Sequence, residues 1–308
     1  MTVAPEAGST TASPTHGSPL GITAAIASVT VFGLGNVLIK RVPLTGLVLA
    51  TDRLWLGAAL YLGVVLARGG RPSIAMLRLS WRGGAAYGLH LALGFTALKL
   101  TRVSDMTIIL ALQPALVMLL AHRLFGERVH RSAVIGTAVA FGGVAIALSS
   151  GTSGGGSLVG DALAVGALFA WTAYFIWSKQ ARQVLGAFEY QLAATLVAAV
   201  VVTPLALAVD GTAVIPHRWE DVGWAALVVL GPGTGHLLLN WAHAHVEITL
   251  ASMLTLGAPI AAAIGAAVFL GEPVLAVQVV GMAVALAALA WVVAASGRRV
   301  AALAAADV

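Results

Sequence analysis

One stretch of this sequence occurs twice, and the duplication limits the folds that the chain can adopt. Residues 110–127 read LALQPALVMLLAHRLFGE, and residues 255–272 read TLGAPIAAAIGAAVFLGE. In each copy a Gly-Glu pair follows the proline, Pro114 or Pro259, at the same spacing. The two prolines are 145 positions apart, close to half of the 308-residue chain. Such a repeat predicts two copies of one structural unit.

The repeated unit reads as an apolar helix interrupted by a proline, a Gly-Glu turn and a second apolar helix. Because proline has no N–H, the carbonyl four residues earlier, at Leu110 or Thr255, loses its helical partner. In lipid such a carbonyl is tolerated only where protein or a water-filled cavity covers it. Interrupted apolar segments at matching places in two halves are typical of the binding site of a membrane carrier. A carboxylate before a helix N-terminus suits the helix dipole, so we expect Glu127 and Glu272 to be structural.

The composition predicts a membrane protein. Hydrophobic residues make up 59% of the chain and charged residues only 9%, against about 25% charged in an average soluble domain. We therefore expect a multi-pass protein of the cell membrane, with the lipid bilayer as a partner. The basic residues lie in short loops between apolar spans, so the net charge of +5 does not indicate nucleic-acid binding. The absence of cysteine excludes disulfides, thiolate metal sites and cysteine nucleophiles.

Segments outside the apolar spans give the expected domain boundaries. Residues 1–18 are rich in Pro, Ser and Thr and have no basic segment, so we expect a disordered cytoplasmic tail rather than a signal peptide. The first five-helix repeat is predicted at 19–150. A glycine-rich linker at 151–160 precedes the second repeat at 161–297, and residues 298–308 are expected to form a cytoplasmic tail.

Ten helices are predicted from apolar runs of about 20 residues, the length that a bilayer requires. Their approximate bounds are 20–39, 44–67, 83–100, 104–122, 132–149, 161–178, 187–208, 222–241, 249–269 and 274–295. The expected fold is therefore an all-α membrane protein of ten transmembrane helices. Because five spans is an odd number, the second repeat is expected to be inverted relative to the first.

The distribution of Lys and Arg predicts the orientation, since these residues accumulate in cytoplasmic loops. With both termini in the cytoplasm, the inner loops carry Arg68, Arg71, Arg78, Arg82, Arg123, Arg128, Arg131, Lys179, Arg182, Arg298 and Arg299. The outer side carries fewer: Lys40, Arg41, Lys99, Arg102 and Arg218. We therefore expect both termini to be cytoplasmic.

Several short motifs occur in order along both halves. The second half contains Trp171-x-x-Tyr174-x-x-x-Ser178-Lys179 and a run from Pro259 to Leu270-Gly271-Glu272-Pro273, and the first contains Phe32-Gly33, Lys40, Arg53, Gln113-Pro114 and Gly126-Glu127. With the ten-span pattern, these motifs resemble the drug/metabolite transporter superfamily, in its ten-helix branch of two EamA-type domains, over about 20–295. The resemblance implies secondary active transport of small metabolites, frequently export, with the site between the halves. Unlike many members, the chain has Ala258 rather than Glu before the ninth-helix proline.

Arg53 is the most informative single residue. It lies about nine residues, or roughly 13 Å, into the second helix, where an arginine costs about 2.5–3.5 kcal/mol. It either binds a substrate carboxylate or forms a structural ion pair or snorkels toward the surface. Adjacent Asp52 points about 100° away around the helix, so it is a poor partner for Arg53 and a candidate for proton coupling.

His90 and His236 form a second candidate set. The shift of 145 positions takes His90 to position 235, next to His236, so we predict that both histidines reach one central cavity. They could bind substrate or relay a proton, because histidine titrates near neutral pH. Alternatively, both are neutral and bonded between helices. Glu189 is a further candidate for proton coupling.

Other candidate substrate-binding residues are polar, kinked or aromatic. Gln113, Pro114, Asn240 and Pro259 could offer hydrogen bonds or free carbonyls to the cavity, or bond between helices instead. Trp171 and Tyr174 share one helix face and could stack on a planar or cationic substrate. The alternative for these two aromatic residues is anchoring at the membrane interface.

The remaining motifs do not indicate catalysis. His243-x-His245 with Glu247 lacks a completed metal-ligand set, and GTSGGGS lacks the lysine of a nucleotide-binding loop. We expect no metal and no cofactor. The sequence predicts a secondary active transporter, an exporter of small metabolites such as amino acids or related compounds, acting as a monomer or weak homodimer. The alternative is a membrane-embedded enzyme or lipid-handling protein.

Overall fold

The structure is a computed structural model, and it describes residues 19–113, 115–117, 131–148, 157–182, 184–216, 218–242, 257–288 and 290–291. In these ranges the chain is helical and contains no strand. The helices are α1 Pro19–Arg41, α2 Gly46–Ala67, α3 Ile74–Leu100, α4 Val103–Leu110, α5 Arg131–Leu148, α6 Leu158–Ala181, α7 Ala187–Asp210, α8 Trp219–Leu230, α9 Pro232–Ala242, α10 Ala258–Leu270 and α11 Ala276–Ala288.

These helices correspond to ten membrane spans. Helices α1, α2, α6, α7 and the α8–α9 pair are each long and apolar enough to cross a bilayer. Shorter apolar helices cover the fourth, fifth, ninth and tenth spans. Helix α3, with 27 residues, is the third span.

The third, fourth and eighth spans differ from the predicted ones. Helix α3 begins nine residues earlier than position 83, because the Ser73 hydroxyl accepts a hydrogen bond from the Met76 N–H at 3.2 Å and caps the helix there. The fourth span, predicted as one helix over 104–122, turns after Leu110, where α4 ends. The eighth span, predicted as one helix over 222–241, is two helices. It breaks at Gly231, whose φ of −82° and ψ of −102° are not helical, because Pro232 follows and favours the start of a new helix.

The two halves of the chain pack against each other along most of their helices. Helix α3 packs on α6 and α7, and the equivalent third span of the second half, α8–α9, packs on α1 and α2. Likewise α1 contacts α10, and α6 contacts α4. These reciprocal contacts are those of a pseudo-two-fold arrangement, so the interior lies between the halves rather than within either one.

Glycine permits the closest approach between the fifth and tenth spans. A Cβ on Gly143 would lie 2.7 Å from the Ala285 nitrogen, and a Cβ on Gly281 would lie 2.4 Å from the Ala147 nitrogen. Gly143 thus lies opposite Ala285, four residues after Gly281, and Gly281 lies opposite Ala147, four residues after Gly143. Small residues with this spacing allow helix backbones to meet in lipid.

Gly143→Leu is therefore expected to destabilise the protein, whereas Gly142→Leu is the matched control. A Cβ on Gly142 would have no neighbour within 4 Å among the described residues, so a larger side chain is accommodated there. Overpacking at Gly143 costs about 1–3 kcal/mol or more, because the obstacle is backbone. Thermal denaturation in detergent measures both variants. Equal melting temperatures for the two would contradict the close α5–α11 contact.

Candidate functional site

A cavity lies between the two halves of the bundle. Its volume, measured as the space open to the centre of a water-sized sphere, is about 120 Å³, whereas about 10–15 Å³ on this scale holds one water. The lining residues are mostly apolar: Phe32, Asn36, Ile39, Arg53, His90, Leu91, Phe95, Thr107, Leu110, Ala111, Gln113, Trp171, Pro232, His236, Leu239, Ala258 and Pro259. The cavity can therefore hold a small organic molecule.

Two breaks in membrane helices and the start of α10 border this cavity. Helix α4 ends at Leu110, and the chain turns at Ala111 before it resumes helical structure. Pro232 begins α9 after the break in the eighth span, and Pro259 lies in the first turn of α10. All four residues line the cavity. Non-helical backbone at membrane depth is thus placed where an interior space can hold polar partners for it.

Arg53 is the only cationic Lys or Arg side chain among the described lining residues. It is 4% exposed. Its guanidinium carbon lies 5.7 Å from the ring centre of Tyr87 and 5.8 Å from that of Phe95. Within the described chain, its Nε and Nη1 have no hydrogen-bond partner and no carboxylate lies within 4.0 Å. Two aromatic faces therefore support the charge, but no anion neutralises it.

His90 and His236 both line the cavity, and both rings lie close to Trp171. The ring centres of His90 and Trp171 are 4.8 Å apart, and those of Trp171 and His236 are 5.4 Å apart. His90 Nδ1 lies 3.0 Å from the Ala167 carbonyl oxygen. Since a carbonyl only accepts, Nδ1 is the donor. His236 Nδ1 has no partner among the described residues.

A cluster of stacked rings supports the Trp171 wall. Tyr174 stacks on Trp171 at 5.3 Å and on Tyr87 at 4.9 Å, but it does not line the cavity. Phe32 meets His236 edge-on at 4.7 Å. Tyr174 is therefore placed to hold Trp171 and Tyr87 rather than to touch a ligand directly.

The other predicted site residues fall into three groups. Gln113 and Pro259 line the cavity. Asp52 is buried in α2 and Glu189 lies in the first turn of α7, and neither lines it. Pro114 and the side chain of Asn240 lie outside the described residues, as do Glu127 and the pair His243 and His245.

Sequence reasoning missed several lining residues. Phe32 and Asn36 are one helical turn apart on α1, and both face the cavity. Phe95 and Thr107 extend the lining from α3 and α4. The Gly-Pro-Gly sequence at Pro232 is the signal that could have indicated the break in the eighth span.

A network of polar contacts joins the helix ends on one side of the bundle, which we call the Glu272 end. Lys40 and Glu272 form an ion pair at 2.8 Å, and the Glu272 carboxylate accepts the Val103 N–H at 3.1 Å. Lys99 donates to the Ile39 and Val42 carbonyls at 2.6 and 2.5 Å. Glu272 was expected to be a structural carboxylate ahead of a helix, and the structure pairs it with Lys40.

The same end contains a buried arginine that is paired with a carboxylate. Arg102 Nε donates to Asp105 at 2.9 Å, and Gln278 donates to the same carboxylate at 2.8 Å. Thr101 donates to Asp161 at 2.7 Å. Arg102 and Asp105 are 2% and 0% exposed, so they show how this chain neutralises a buried guanidinium when its role is structural.

Arg53→Met and Arg102→Met are therefore expected to change stability in opposite directions. Replacing a buried charge by an apolar residue of similar volume is neutral or stabilising by about 1–4 kcal/mol, which we expect at Arg53. Removing Arg102 leaves the Asp105 carboxylate buried and unpaired, at a cost of about 3–5 kcal/mol. Denaturation in detergent measures both. Strong destabilisation by Arg53→Met would show that this residue has a structural partner.

The fold and the cavity together define a polytopic α-helical membrane protein with an internal site between two similar halves. The model of the EamA-like transporter family matches residues 19–149 and again residues 158–294. The chain belongs to this family, so it is a membrane transporter of the drug/metabolite type. The match confirms the resemblance and the predicted fold of ten transmembrane helices in two inverted five-helix repeats.

Comparison with solved structures supports the same fold. A crystal structure of a protein with 22% sequence identity has a TM-score of 0.63 and covers 91% of this chain and 97% of its own. At this identity the similarity shows the fold alone. No curated protein matches the sequence.

Proposed function

We propose that the protein is a secondary active transporter that exports small metabolites, such as amino acids or related compounds, by alternating access. The observation that carries this proposal is the cavity between the repeats, bordered by helix breaks at Ala111 and Pro232 and by Pro259 in the first turn of α10. Carriers place substrate where broken helices of two repeats meet. In this proposal the chain lies in the cell membrane with both termini cytoplasmic, as a monomer or weak homodimer.

The polar network at the Glu272 end would be the barrier on one side. Lys40 links the end of α1 to the turn between α10 and α11, and it also donates to the Thr101 carbonyl at 2.6 Å. These bonds join helices of both repeats. Opening of the cavity at this end requires them to break together, which makes the transition between two discrete states rather than a gradual one.

A membrane-embedded enzyme or lipid-handling protein is less well supported. Such a protein would need a polar catalytic cluster at one interface. The described residues contain no group of three or more His, Asp or Glu that could hold a metal. The polar side chains at the Glu272 end, including Asp105 and Asp161, bond to one another, so their hydrogen-bonding capacity is already used in joining helices.

Counterflow in proteoliposomes tests the carrier proposal. A thermal-shift screen of metabolites first identifies a ligand, and we expect labelled ligand to accumulate in vesicles preloaded with the same unlabelled compound. Trp171→Ala is expected to lower the counterflow rate at least about tenfold, because a side chain in the cavity wall contributes directly to substrate binding. The matched control is Trp219→Ala, since Trp219 is 90% exposed.

Two outcomes would contradict the proposal. Binding that is followed by formation of a product, without counterflow, would support an enzyme instead. Equal effects of the two tryptophan substitutions on counterflow, with both proteins folded, would show that the cavity is not the transport site.

We further propose proton coupling through His90 and His236, the titratable predicted candidates that line the cavity. Asp52 and Glu189 remain candidates for proton coupling at a distance from it. An imposed pH gradient is expected to drive substrate accumulation, and His236→Gln is expected to abolish this drive while counterflow continues. Transport by the unmodified protein that ignores the pH gradient would refute the coupling.

A further inference from the structure

The charged groups among the described lining residues of the cavity do not cancel one another. Within the described chain, its lining contains the guanidinium of Arg53 and no carboxylate. Asp52 is the neighbour of Arg53 in sequence, but it does not line the cavity and forms no ion pair with Arg53 in the described structure. The empty cavity therefore carries an excess positive charge in apolar surroundings, an arrangement that is unfavourable until an anion enters.

Part of the hydrogen-bonding capacity of Arg53 is unused within the described chain. Rings of Tyr87 and Phe95 lie about 6 Å from the guanidinium carbon, where they stabilise the cation without accepting its N–H bonds. Nε and Nη1 have no partner in the described part of the chain. Arg102 differs, because its Nε and Nη2 both contact Asp105, whereas no carboxylate of the described residues pairs with Arg53. A ligand carboxylate would fill this place.

The fork of a guanidinium matches the two oxygens of a carboxylate. A phosphate dianion fits less well, because one charge of the pair would stay uncompensated beside a single arginine in an apolar cavity. The anion is therefore expected to be singly charged.

The opposite requirement, a negatively charged partner for an ammonium group, is not met by the described lining residues. Asn36, Gln113 and Thr107 are neutral, and no lining carboxylate in the described residues could pair with a substrate cation. The rings of Trp171 and Phe32, which lie at 80° to each other, instead offer apolar surface to the cavity. A planar ring could pack there while its carboxylate reaches Arg53.

We infer that the transported substrate is a small monocarboxylate with a flat apolar body and no ammonium group, and that Arg53 is its anchor. This inference rests on the proposed carrier function and narrows its substrate class. An α-amino acid is disfavoured, because its ammonium would enter a cavity that already carries positive charge.

Three phenyl compounds of similar size test the inference with the unmodified protein. Phenylacetate is a monoanion, phenylalanine a zwitterion and phenethylamine a cation. We expect phenylacetate to bind at least about tenfold more tightly than the other two by calorimetry, a difference of about 1.4 kcal/mol. Tighter binding of phenylalanine or phenethylamine would overturn the inference, as would no phenylacetate binding at millimolar concentration.

Variants at Arg53 assign the preference to this side chain. Arg53→Met is expected to abolish the preference for phenylacetate, and Arg53→Lys, which keeps the charge but not the fork, to retain part of it. Arg71→Met is the matched control, because Arg71 is exposed in the loop between α2 and α3. Phenylacetate binding to Arg53→Met that equals binding to the unmodified protein would overturn the inference.

Counterflow separates this inference from the carrier proposal. Preferential binding of phenylacetate without counterflow of any of the three compounds would refute the carrier function and leave the anion site in place. Counterflow of phenylalanine without phenylacetate binding would support the carrier function and overturn the inferred anion site.

Discussion

The lack of water in the bilayer core is the constraint on which the rest of this structure depends. Every backbone and side-chain polar group at membrane depth needs a partner within the protein or in an internal aqueous space. Among the described residues, this chain interrupts its helices at Ala111 and Gly231 and begins α10 at Ala258, and Ala111, Pro232 and Ala258 line the same cavity. The cavity is therefore the place where irregular backbone and a central arginine can exist together, and the duplicated sequence supplies it from both halves.

The two buried arginines show how stability and function are separated in space. Arg102, at one end of the bundle, is neutralised by Asp105 and supported by Gln278, so it joins helices. Arg53, in the cavity, is held only by aromatic rings among the described residues. A protein that keeps such a charge unpaired gives up folding free energy, and a ligand that pairs with it recovers that energy on binding. The Glu272 end therefore contains ion pairs, whereas the described lining of the cavity contains none.

Much of the fold could be predicted from the sequence, because apolar length and the repeated Pro and Gly-Glu pattern determine spans and symmetry. The shift of 145 positions between the repeats takes His90 to position 235, next to His236, and both histidines line the cavity. Spacing alone could not show that Tyr174 packs against Trp171 without lining the cavity. Residues three apart share a helix face, but their side chains contact different neighbours. The Lys40–Glu272 pair depends on how α1 meets the α10–α11 turn, which no local pattern encodes.

Distances between spin labels at both ends of α1 and α6 test the alternating cavity most directly. Labels at Pro43 and Val159 report one end, and labels at Leu20 and Val184 report the other; the chain has no cysteine of its own to remove. Glu272→Gln weakens the contacts at the Glu272 end, so the account predicts that the first distance lengthens while the second shortens. Unchanged distances, or a lengthening of both together, would contradict alternating access around this cavity.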